Sequence, residues 1–495
     1  MSSEINMSGA IISILLPWLL GCVWVYCLLK RTQAWNWWLV IGHGYLLGLF
    51  VTTLVLRGWA TAGITLGFAG VAITLSLLAV LGACAAWKLD DGRTQGTARH
   101  PIGGGGWLFC GFLLILLVWR YATILQEVLV LPLFPWDAWM NWAPKAIVWF
   151  HFKQFVNYVD PDTWLSAPAN ARDYTLGAYN AWEYPNGVPL IQLWSMLAID
   201  TSDASVIYLP WVIVAIAMGC ALYGHLRLAG IPRTGAMTGV YLLLSMPFVN
   251  VHSALAGYAD LWVTVTFSCS VLAVIAWDET RQWQFAVIAI LLTIFLAQLK
   301  VPGLIMAAIA LAALVISLPR IEKRWLAVIF SAVVFLVSAI WYVGLDVTLP
   351  GIGQLTLSPD AIQVPYFGSY SLEYHPVHEA MAKTLFLMIN WNILWYLLLP
   401  MAIIILLKPR LIADNFLPSV ALLTSLGFTA FVYYFTDRYQ FAEDFTQVNR
   451  AVIYSTPLLI FLVVKILANV CSRGEAGTHS PSTYAGQATG KSCEN

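Results

Sequence analysis

Long apolar stretches alternate with short polar segments along most of the chain. A membrane-spanning helix needs about 20 apolar residues, and this criterion predicts about thirteen spans. The predicted spans cover residues 9–29, 39–56, 62–87, 106–125, 204–226, 235–253, 261–277, 284–300, 302–319, 326–347, 386–407, 415–435 and 451–470. A shorter apolar stretch, residues 187–199, is interpreted as a short re-entrant or surface helix. The pattern therefore predicts an all-α, polytopic integral membrane protein.

The composition agrees with this fold class. The chain has 495 residues, of which 60% are hydrophobic and 10% are charged, whereas soluble domains carry about 25% charged residues. Its mean hydropathy is +0.77. The formal net charge is +0, and no P-loop or dinucleotide-binding glycine motif is present. These features argue against a nucleic-acid partner and against a nucleotide as the source of energy or sugar.

Basic residues predict the orientation, because cytoplasmic loops carry an excess of Lys and Arg. Most of the 25 basic residues fall on one side of the predicted topology. They are Lys30, Arg31, Lys88, Arg93, Arg99, Arg227, Arg233, Arg281, Arg320, Lys323, Arg324, Lys408, Arg410, Lys465, Arg473 and Lys491. We therefore predict that the N-terminus lies outside and the C-terminus lies in the cytoplasm.

This orientation places the three longest loops, about residues 126–203, 348–385 and 436–450, on the outer face. The chain then divides into three parts. Residues 1–105 form three N-terminal transmembrane helices, and residues 106–470 form the main membrane domain. The tail, residues 471–495, is rich in small and polar residues and is predicted to be a disordered cytoplasmic segment.

The segment from Pro135 to Lys145 follows a predicted span and is the most informative part of the first outer loop. It places an acid, an amide and a base among three tryptophans, namely Asp137, Asn141, Lys145, Trp136, Trp139 and Trp142. A carboxylate at a lipid boundary is costly unless it is paired or functional. Tryptophan can anchor a chain at the interface or stack on a sugar ring. The combination indicates a site that handles polar cargo on a lipid carrier.

Two interpretations of Asp137 remain open. In one, it is a general base or metal ligand that faces a cavity. In the other, it caps a surface helix whose tryptophans form an aromatic belt, and Pro144 breaks or restarts that helix. Lys145 either pairs with Asp137, holds a phosphate, or extends its ammonium group from the interface into water.

Further polar residues fall on the same predicted face. Glu183 and Tyr184 precede an apolar helix, and an ordinary loop-to-helix junction is the alternative to a site there. Asp260 opens a span just after Tyr258, where it either faces the bundle interior or caps the helix. Lys300 occupies a short turn between two apolar helices, and Arg450 begins the last span. Either cation could hold a lipid phosphate.

A cluster of acids and histidines in the 348–385 loop has a weaker signal. It comprises Glu373, His375, His378 and Glu379. The spacing does not match the zinc-binding His-Glu-x-x-His motif, so we expect a solvated loop, with metal binding as the alternative. No cofactor is predicted with certainty, and a divalent cation stays open.

Taken together, these motifs resemble the GT-C superfamily of membrane glycosyltransferases. The likeness is to the branch of protein O-mannosyltransferases and lipid A aminoarabinose transferases. The residues that carry it are the Asp137–Lys145 segment, the Tyr184-Pro185 turn, Gly257-Tyr258-Ala259-Asp260 and the Lys300-x-x-Gly303 turn. The resemblance extends over about residues 106–470.

The resemblance implies transfer of a sugar from a polyprenyl-phosphate carrier on the outer face. It implies that Asp137 is the catalytic carboxylate and that Lys300 and Arg450 hold phosphate. The chain departs from the family in its three extra N-terminal spans and in Pro302, which stands where an acid is expected. It has no paired Asp-Asp or Asp-x-Asp in the catalytic loop, so the resemblance does not imply metal dependence.

The residues and the resemblance together predict a membrane glycosyltransferase, and the resemblance implies a bacterial inner membrane. The expected partners are a polyprenyl-phosphate-linked sugar, a glycan, lipid or protein acceptor in the cell envelope, and membrane lipids. Asp137 is the expected catalytic residue. The expected substrate-binding residues are Trp139, Asn141, Trp142, Lys145, Glu183, Tyr184, Tyr258, Asp260, Lys300 and Arg450. The alternatives are a transporter or flippase for lipid-linked saccharides and a polysaccharide polymerase or ligase.

Overall fold

The fold is mostly helical in a computed structural model that describes residues 6–89, 104–168, 171–178, 181–255, 257–318, 323–349, 353–365 and 368–478. The α-helices are α1 (Met7–Leu29), α2 (Trp37–Thr61), α3 (Phe68–Lys88), α4 (Gly104–Val130), α5 (Ala143–Phe152), α6 (Pro161–Ser166), α7 (Gly187–Ile199), α8 (Leu209–Leu228), α9 (Arg233–Leu244), α10 (Pro247–Ala254), α11 (Asp260–Thr280), α12 (Trp283–Leu296), α13 (Val301–Ile316), α14 (Lys323–Val343), α15 (His378–Ala382), α16 (Leu398–Leu407), α17 (Arg410–Asp414), α18 (Phe416–Phe435), α19 (Gln440–Glu443), α20 (Val448–Val452) and α21 (Thr456–Thr478).

Short helical turns of other types join these helices. They comprise π-helical turns at Ala138–Trp142 and Lys383–Leu387, and 3₁₀ turns at Ala181–Glu183, Ser205–Tyr208, Ile389–Trp391, Asp437–Tyr439 and Ile453–Ser455. The last 3₁₀ turn joins α20 to α21, so that Val448–Val470 forms one apolar span.

Within the described residues, eight helical segments are long and apolar enough to cross a membrane. They match the predicted spans that begin near residues 9, 39, 62, 106, 204, 261, 415 and 451. The bent pair α9–α10, with 59° between its halves, makes nine if it is counted as one span. The chain is therefore a multi-pass membrane protein.

The remaining predicted spans differ from simple membrane-crossing helices. The predicted spans 284–300 and 302–319 are the short helices α12 and α13, of 14 and 16 residues. The predicted span 386–407 is broken before α16, where Asn392 has a positive φ of 49°. The predicted span 326–347 corresponds to α14, which ends at Val343 and is not among the eight, and to the start of a β-strand at Leu345. The turn between α12 and α13 was predicted, but hydropathy did not reveal the break at Asn392, because a short turn interrupts the backbone without interrupting the apolar run.

The core lies around α11. In its most apolar 18-residue window, 94% of the residues are buried, whereas the figure for α3 and for α4 is 22%. Helices α8, α12 and α13 pack against α11. The exposed apolar side chains of α3 and α4 are suited to contact with lipid, and α11 is suited to hold polar groups away from it.

The short apolar stretch 187–199 is a helix, α7, as predicted. Every residue of α7 is buried, so it is a core helix and the surface interpretation is wrong. Its first residue, Gly187, donates its backbone N–H to the Gln298 carbonyl at 2.8 Å. A Cβ on Gly187 would stand only 2.4 Å from that carbonyl oxygen. The start of α7 is thereby fixed against the turn between α12 and α13.

The fold is mostly helical, as predicted, and two small sheets add to it. Strands β1 (Asn157–Tyr158) and β2 (Asp173–Tyr174) pair in parallel. Strands β3 (Leu345–Leu349), β4 (Gly353–Leu357), β5 (Ala361–Val364) and β6 (Gly368–Ser371) form an antiparallel meander. Each strand of the meander pairs with the next strand along the chain, and such pairing requires no long apolar run. The hydropathy pattern therefore did not reveal it.

Some predictions fall outside the described residues. These include the basic residues Arg93, Arg99, Arg320 and Lys491, and residues 479–495 of the predicted tail. Helix α21 continues past the predicted boundary at residue 470 and ends at Thr478. Residues 471–478, predicted to belong to the disordered tail, are therefore helical.

Helices α1 and α2 approach each other through glycines. A Cβ on Gly48 would stand 1.7 Å from the Pro17 carbonyl oxygen, and one on Gly21 would stand 1.8 Å from the Gly44 carbonyl oxygen. Small residues of this kind let helix backbones come close in membranes. The N-terminal helices thus depend on the absence of side chains at these positions.

We expect opposite effects from alanine at two glycines of α2. Gly48→Ala should lower the free energy of unfolding by about 1–3 kcal/mol, because the added methyl group overpacks the contact with α1. Gly58→Ala should raise it by up to about 1 kcal/mol through helix propensity, because no atom lies within 4 Å of its Cβ position. Thermal unfolding midpoints in one detergent measure both, and equal shifts would contradict this packing.

Candidate functional site

Four charged side chains from separate parts of the chain meet at one end of the bundle. Asp137 follows α4, Asp260 begins α11, Lys300 lies between α12 and α13, and Arg450 lies in α20. Ion pairs join them in the order Asp137, Arg450, Asp260 and Lys300. We call these four residues the charged cluster. Two acids and two bases neutralise one another within it.

Asp260 is the centre of the charged cluster, and its side chain is 0% exposed. Its Oδ1 accepts hydrogen bonds from Lys300 Nζ at 2.6 Å and from the Tyr454 hydroxyl at 2.5 Å. Its Oδ2 accepts from Arg450 Nε at 3.0 Å and Nη2 at 2.7 Å. Four donors therefore hold this buried carboxylate, which is what a charge in a low-dielectric interior requires.

Asp137 forms the open end of the charged cluster. Its Oδ2 accepts a hydrogen bond from Arg450 Nη2, and its side chain is 20% exposed, compared with 0% for Asp260. It makes no capping hydrogen bond to the turn that follows it. Neither Asp137 nor Asp260 is therefore a simple helix cap, and the alternative interpretation of both residues is wrong.

A glycine turn brings α11 against the Asp137 segment. Gly257 has a positive φ of 82°, and a Cβ there would stand 2.8 Å from the Ala138 Cβ. The next residue, Tyr258, is fixed by a 2.6 Å hydrogen bond from Trp211 Nε1 to its carbonyl oxygen. The Arg450 guanidinium lies 4.7 Å from the centre of the Tyr258 ring. Tyr258 thus forms one wall beside the shared guanidinium.

The turn between α12 and α13 positions Lys300. Its backbone is extended, with φ −161° and ψ 155°, and α13 begins immediately afterwards. Pro302 stands in the first turn of α13, where its fixed φ suits a helix start and its missing N–H is not needed. The residue that departs from the family pattern therefore has a local structural role.

Two tyrosines line the approach to Asp137. Burial, and then the nearby Asp137 carboxylate, raise the pKa of Tyr184 and of Tyr258 above its ordinary value. Both side chains are therefore neutral hydroxyl groups at neutral pH. They can donate or accept hydrogen bonds beside Asp137 without adding charge.

Lys145 does not pair with Asp137, and its expected position at the lipid interface is also wrong. Its side chain is buried, and Nζ donates to the Trp182 carbonyl at 2.8 Å, the Tyr184 carbonyl at 2.9 Å and Asn186 Oδ1 at 3.2 Å. Asp137 has Arg450 as its partner instead. Lys145 therefore holds the turn that precedes α7. As Pro144 predicts, α5 starts at this point, with the proline in its first turn.

The tryptophans of the Asp137 segment divide into two kinds. Trp136 and Trp139 are 61% and 45% exposed, and their rings meet edge to face at 5.4 Å. Trp142 is 1% exposed and packs against Tyr184, so the expectation of three surface tryptophans is wrong for it. Asn141 is also buried, and its Oδ1 has no hydrogen-bond partner among the described residues. The π-helical turn rotates these two side chains inward.

The remaining predicted site residues lie apart from the charged cluster. Glu183 is exposed and lines a different cavity, together with Lys145. His375 stacks on Tyr439 with 3.7 Å between ring centres, and Glu379 pairs with Lys383. Within the described part of the chain, no group of three or more His, Cys, Asp or Glu side chains could hold a metal ion.

Tyr454 is a member of the site that the sequence reasoning missed. It follows Arg450 by four residues, and residues at that spacing lie on the same face of a helix. This spacing was the available signal. The structure adds that the Tyr454 hydroxyl donates to the same carboxylate that Arg450 binds.

Comparisons with protein-family models, curated proteins and solved structures find no match for this chain. The family resemblance therefore remains a prediction, and the class established by the fold is that of a multi-pass, mostly helical membrane protein.

The two aspartates of the charged cluster should differ in their effect on stability. Asp260→Asn should lower the free energy of unfolding by about 3–5 kcal/mol, because it leaves buried cations without their main counter-charge. Asp137→Asn should cost at most about 1 kcal/mol, because a partly exposed ion pair contributes little. Thermal unfolding of both variants in the same detergent measures this, and a larger loss for Asp137→Asn would contradict the assignment of Asp260 as the centre.

Proposed function

We propose that the protein is a membrane glycosyltransferase that uses a polyprenyl-phosphate-linked sugar. The observation that carries the proposal is the charged cluster, in which Arg450 is shared between a buried carboxylate and a partly exposed one. Such a cluster offers a carboxylate and two cations at one place, as transfer of a sugar from a phosphate requires. An acceptor hydroxyl must lose a proton, and a departing phosphate must be stabilised.

Asp137 is the general base in this proposal. The acceptor oxygen forms a bond to the anomeric carbon of the sugar while its proton passes to the Asp137 carboxylate. The bond from the anomeric carbon to the phosphate oxygen breaks, and its electron pair stays on the phosphate. One carboxylate and a direct displacement favour inversion at the anomeric carbon.

Arg450 and Lys300 stabilise the departing phosphate. Arg450 binds Asp137 through Nη2, and a phosphate on the guanidinium would compete for that nitrogen. Loss of the Arg450 contact would leave the Asp137 carboxylate free to accept the proton of the acceptor hydroxyl. Donor binding would thus prepare the base. Lys300 is 16% exposed, so its ammonium can reach an anion while Asp260 holds it.

The surroundings of the charged cluster suit a sugar on a lipid. Trp136 and Trp139 are exposed beside Asp137, and aromatic faces can stack on sugar rings. We further propose a GT-C-like fold of about thirteen membrane helices, in which the short and bent helices complete the set. In this arrangement the charged cluster lies on the outer face of a bacterial inner membrane, with the N-terminus outside and the C-terminus in the cytoplasm.

A transporter or flippase for lipid-linked saccharides is a second candidate. Its supporting observations are the bent pair α9–α10, with 59° between the halves, and the short helices α12 and α13 that meet at the Lys300 turn. Transporters commonly bind substrate at interrupted helices of this kind. A polymerase or ligase acting on lipid-linked saccharides would also transfer a glycosyl group, and it differs from the first proposal in donor and acceptor.

The test measures transfer of a labelled sugar from a polyprenyl-phosphate donor by the purified protein. Asp137→Asn should lower the transfer rate by about 10²–10⁴-fold, because it removes the base and changes the volume very little. Asp162→Asn is the matched control, because Asp162 is an exposed acid in the same outer loop. It should leave the rate unchanged.

Equal transfer by wild type and Asp137→Asn would contradict the assignment of the base. The same protein preparations, reconstituted in liposomes, distinguish the transporter: labelled lipid-linked saccharide would cross the bilayer without any transfer to an acceptor.

A further inference from the structure

A cavity of about 370 Å³ lies between helix α2 and the first outer loop. Its lining includes Arg57, Lys145, Asn157, Tyr158, Glu183 and Gln298. None of the four residues of the charged cluster lines it. We call it the Arg57–Lys145 cavity. Arg57 lies in α2, before residues 106–470, over which the chain resembles the GT-C superfamily. The sequence analysis did not select it as a site residue.

Arg57 brings into this cavity a cation that has no ion-pair partner among the described residues. Its side chain is half-buried, and its Nε is buried without a hydrogen-bond partner among the described residues. No carboxylate in the described part of the chain forms an ion pair with it. A buried donor without an acceptor is costly, and more so when it belongs to a charged group. The cavity therefore lacks an anionic acceptor at this position.

Lys145 adds a second positive charge. Among the described residues, its buried ammonium group is bound by neutral acceptors, which are two backbone carbonyls and the Asn186 side-chain oxygen. It also lies 5.5 Å from the centre of the Tyr158 ring. Burial lowers its pKa to about 8, so it is mostly protonated at neutral pH. These contacts fix its position but leave its charge uncompensated.

Glu183 is the acid in the lining of the cavity. It is exposed, and it forms no ion pair with either cation. Water therefore screens its charge more than the charges of the cations inside. Two cations and one exposed acid leave the interior positive. The amide nitrogens of Asn157 and Gln298 donate to Asp173 Oδ1 and to the Ile294 carbonyl. Each amide has a second N–H that can donate to an anion.

We propose that the Arg57–Lys145 cavity binds a phosphate group, with Arg57 as its main ligand. The planar guanidinium can donate two parallel hydrogen bonds to phosphate oxygens, and lysine binds phosphate as a point charge. The volume lies within the range of small-ligand sites, about 300–1,000 Å³. The phosphate is either the head group of a lipid or a soluble phosphate. This proposal does not depend on sugar transfer at Asp137.

Binding of inorganic phosphate to the full-length protein tests the proposal. Calorimetric titration uses protein in nanodiscs of phosphatidylcholine, a neutral lipid. Arg57→Gln should weaken phosphate binding by at least about tenfold, because it removes a charge-assisted hydrogen bond. Arg57→Lys should retain part of the affinity. The matched control is Arg31→Gln, which removes an exposed arginine outside the cavity and should bind phosphate like wild type.

A second arm identifies the source of the phosphate. If a lipid head group reaches the cavity, adding phosphatidic acid to the nanodiscs should weaken the apparent affinity for inorganic phosphate. This competition should disappear in the Arg57→Gln variant. If phosphatidic acid has no effect while phosphate binding still depends on Arg57, the natural ligand carries a soluble phosphate. Both results support the proposal.

Two results would overturn the proposal. One is an absence of binding of both phosphate and phosphatidic acid by wild-type protein. The other is equal binding by wild type and Arg57→Gln, which would place the anion elsewhere, for example on Lys300 and Arg450. Arg57 is the preferred target, because replacement of Lys145 would also release the Trp182 and Tyr184 carbonyls that it binds.

Discussion

The Asp260 carboxylate sets the main constraint on this structure. It is fully buried, and an ionised carboxylate in an apolar interior is stable only when donors surround it. Those donors come from the α12–α13 turn, from α20 and from the 3₁₀ turn that follows it, so one buried charge fixes the relative position of three helices. Arg450 extends the network to Asp137. The Asp137 segment is thereby fixed to the core by the same group that holds the last span.

The backbone is shaped to allow this network. Gly257 has a positive φ and approaches Ala138, while Gly187 approaches the Gln298 carbonyl. Both contacts bring a loop close to the start of a core helix. The short helices α12 and α13 place Lys300 at their break, so its ammonium group enters the interior from a helix end. The breaks between helices place charged residues at helix ends inside the bundle, where their side chains can form ion pairs.

The sequence revealed the members of the charged cluster but not their pairing. Each member was selected because a charge near a lipid boundary is costly unless it is paired or functional. The members are Asp137, Asp260, Lys300 and Arg450. The two contacts of Arg450 join residues that are 313 and 190 positions apart, and no local pattern encodes such distances. For Lys145, pairing with Asp137 and exposure at the interface are wrong, because its acceptors are two backbone carbonyls and the Asn186 side chain. Every residue has a backbone carbonyl, so the sequence does not show which carbonyls accept from a lysine. Tyr454 could have been found from its helical spacing to Arg450, and the β3–β6 meander could not.

The contrast between the two acids explains why Asp137 is the better candidate for chemistry. Asp260 has all its donors inside the protein, and proton transfer to it would break several hydrogen bonds at once. Asp137 has one described charged partner, Arg450, and part of its surface reaches solvent. Arg450 forms ion pairs with both acids. An anion that binds Arg450 therefore changes the charge around Asp137, while Asp260 remains held by Lys300 and Tyr454. Such a site can respond to a ligand at its open end without losing the buried contacts that maintain the fold.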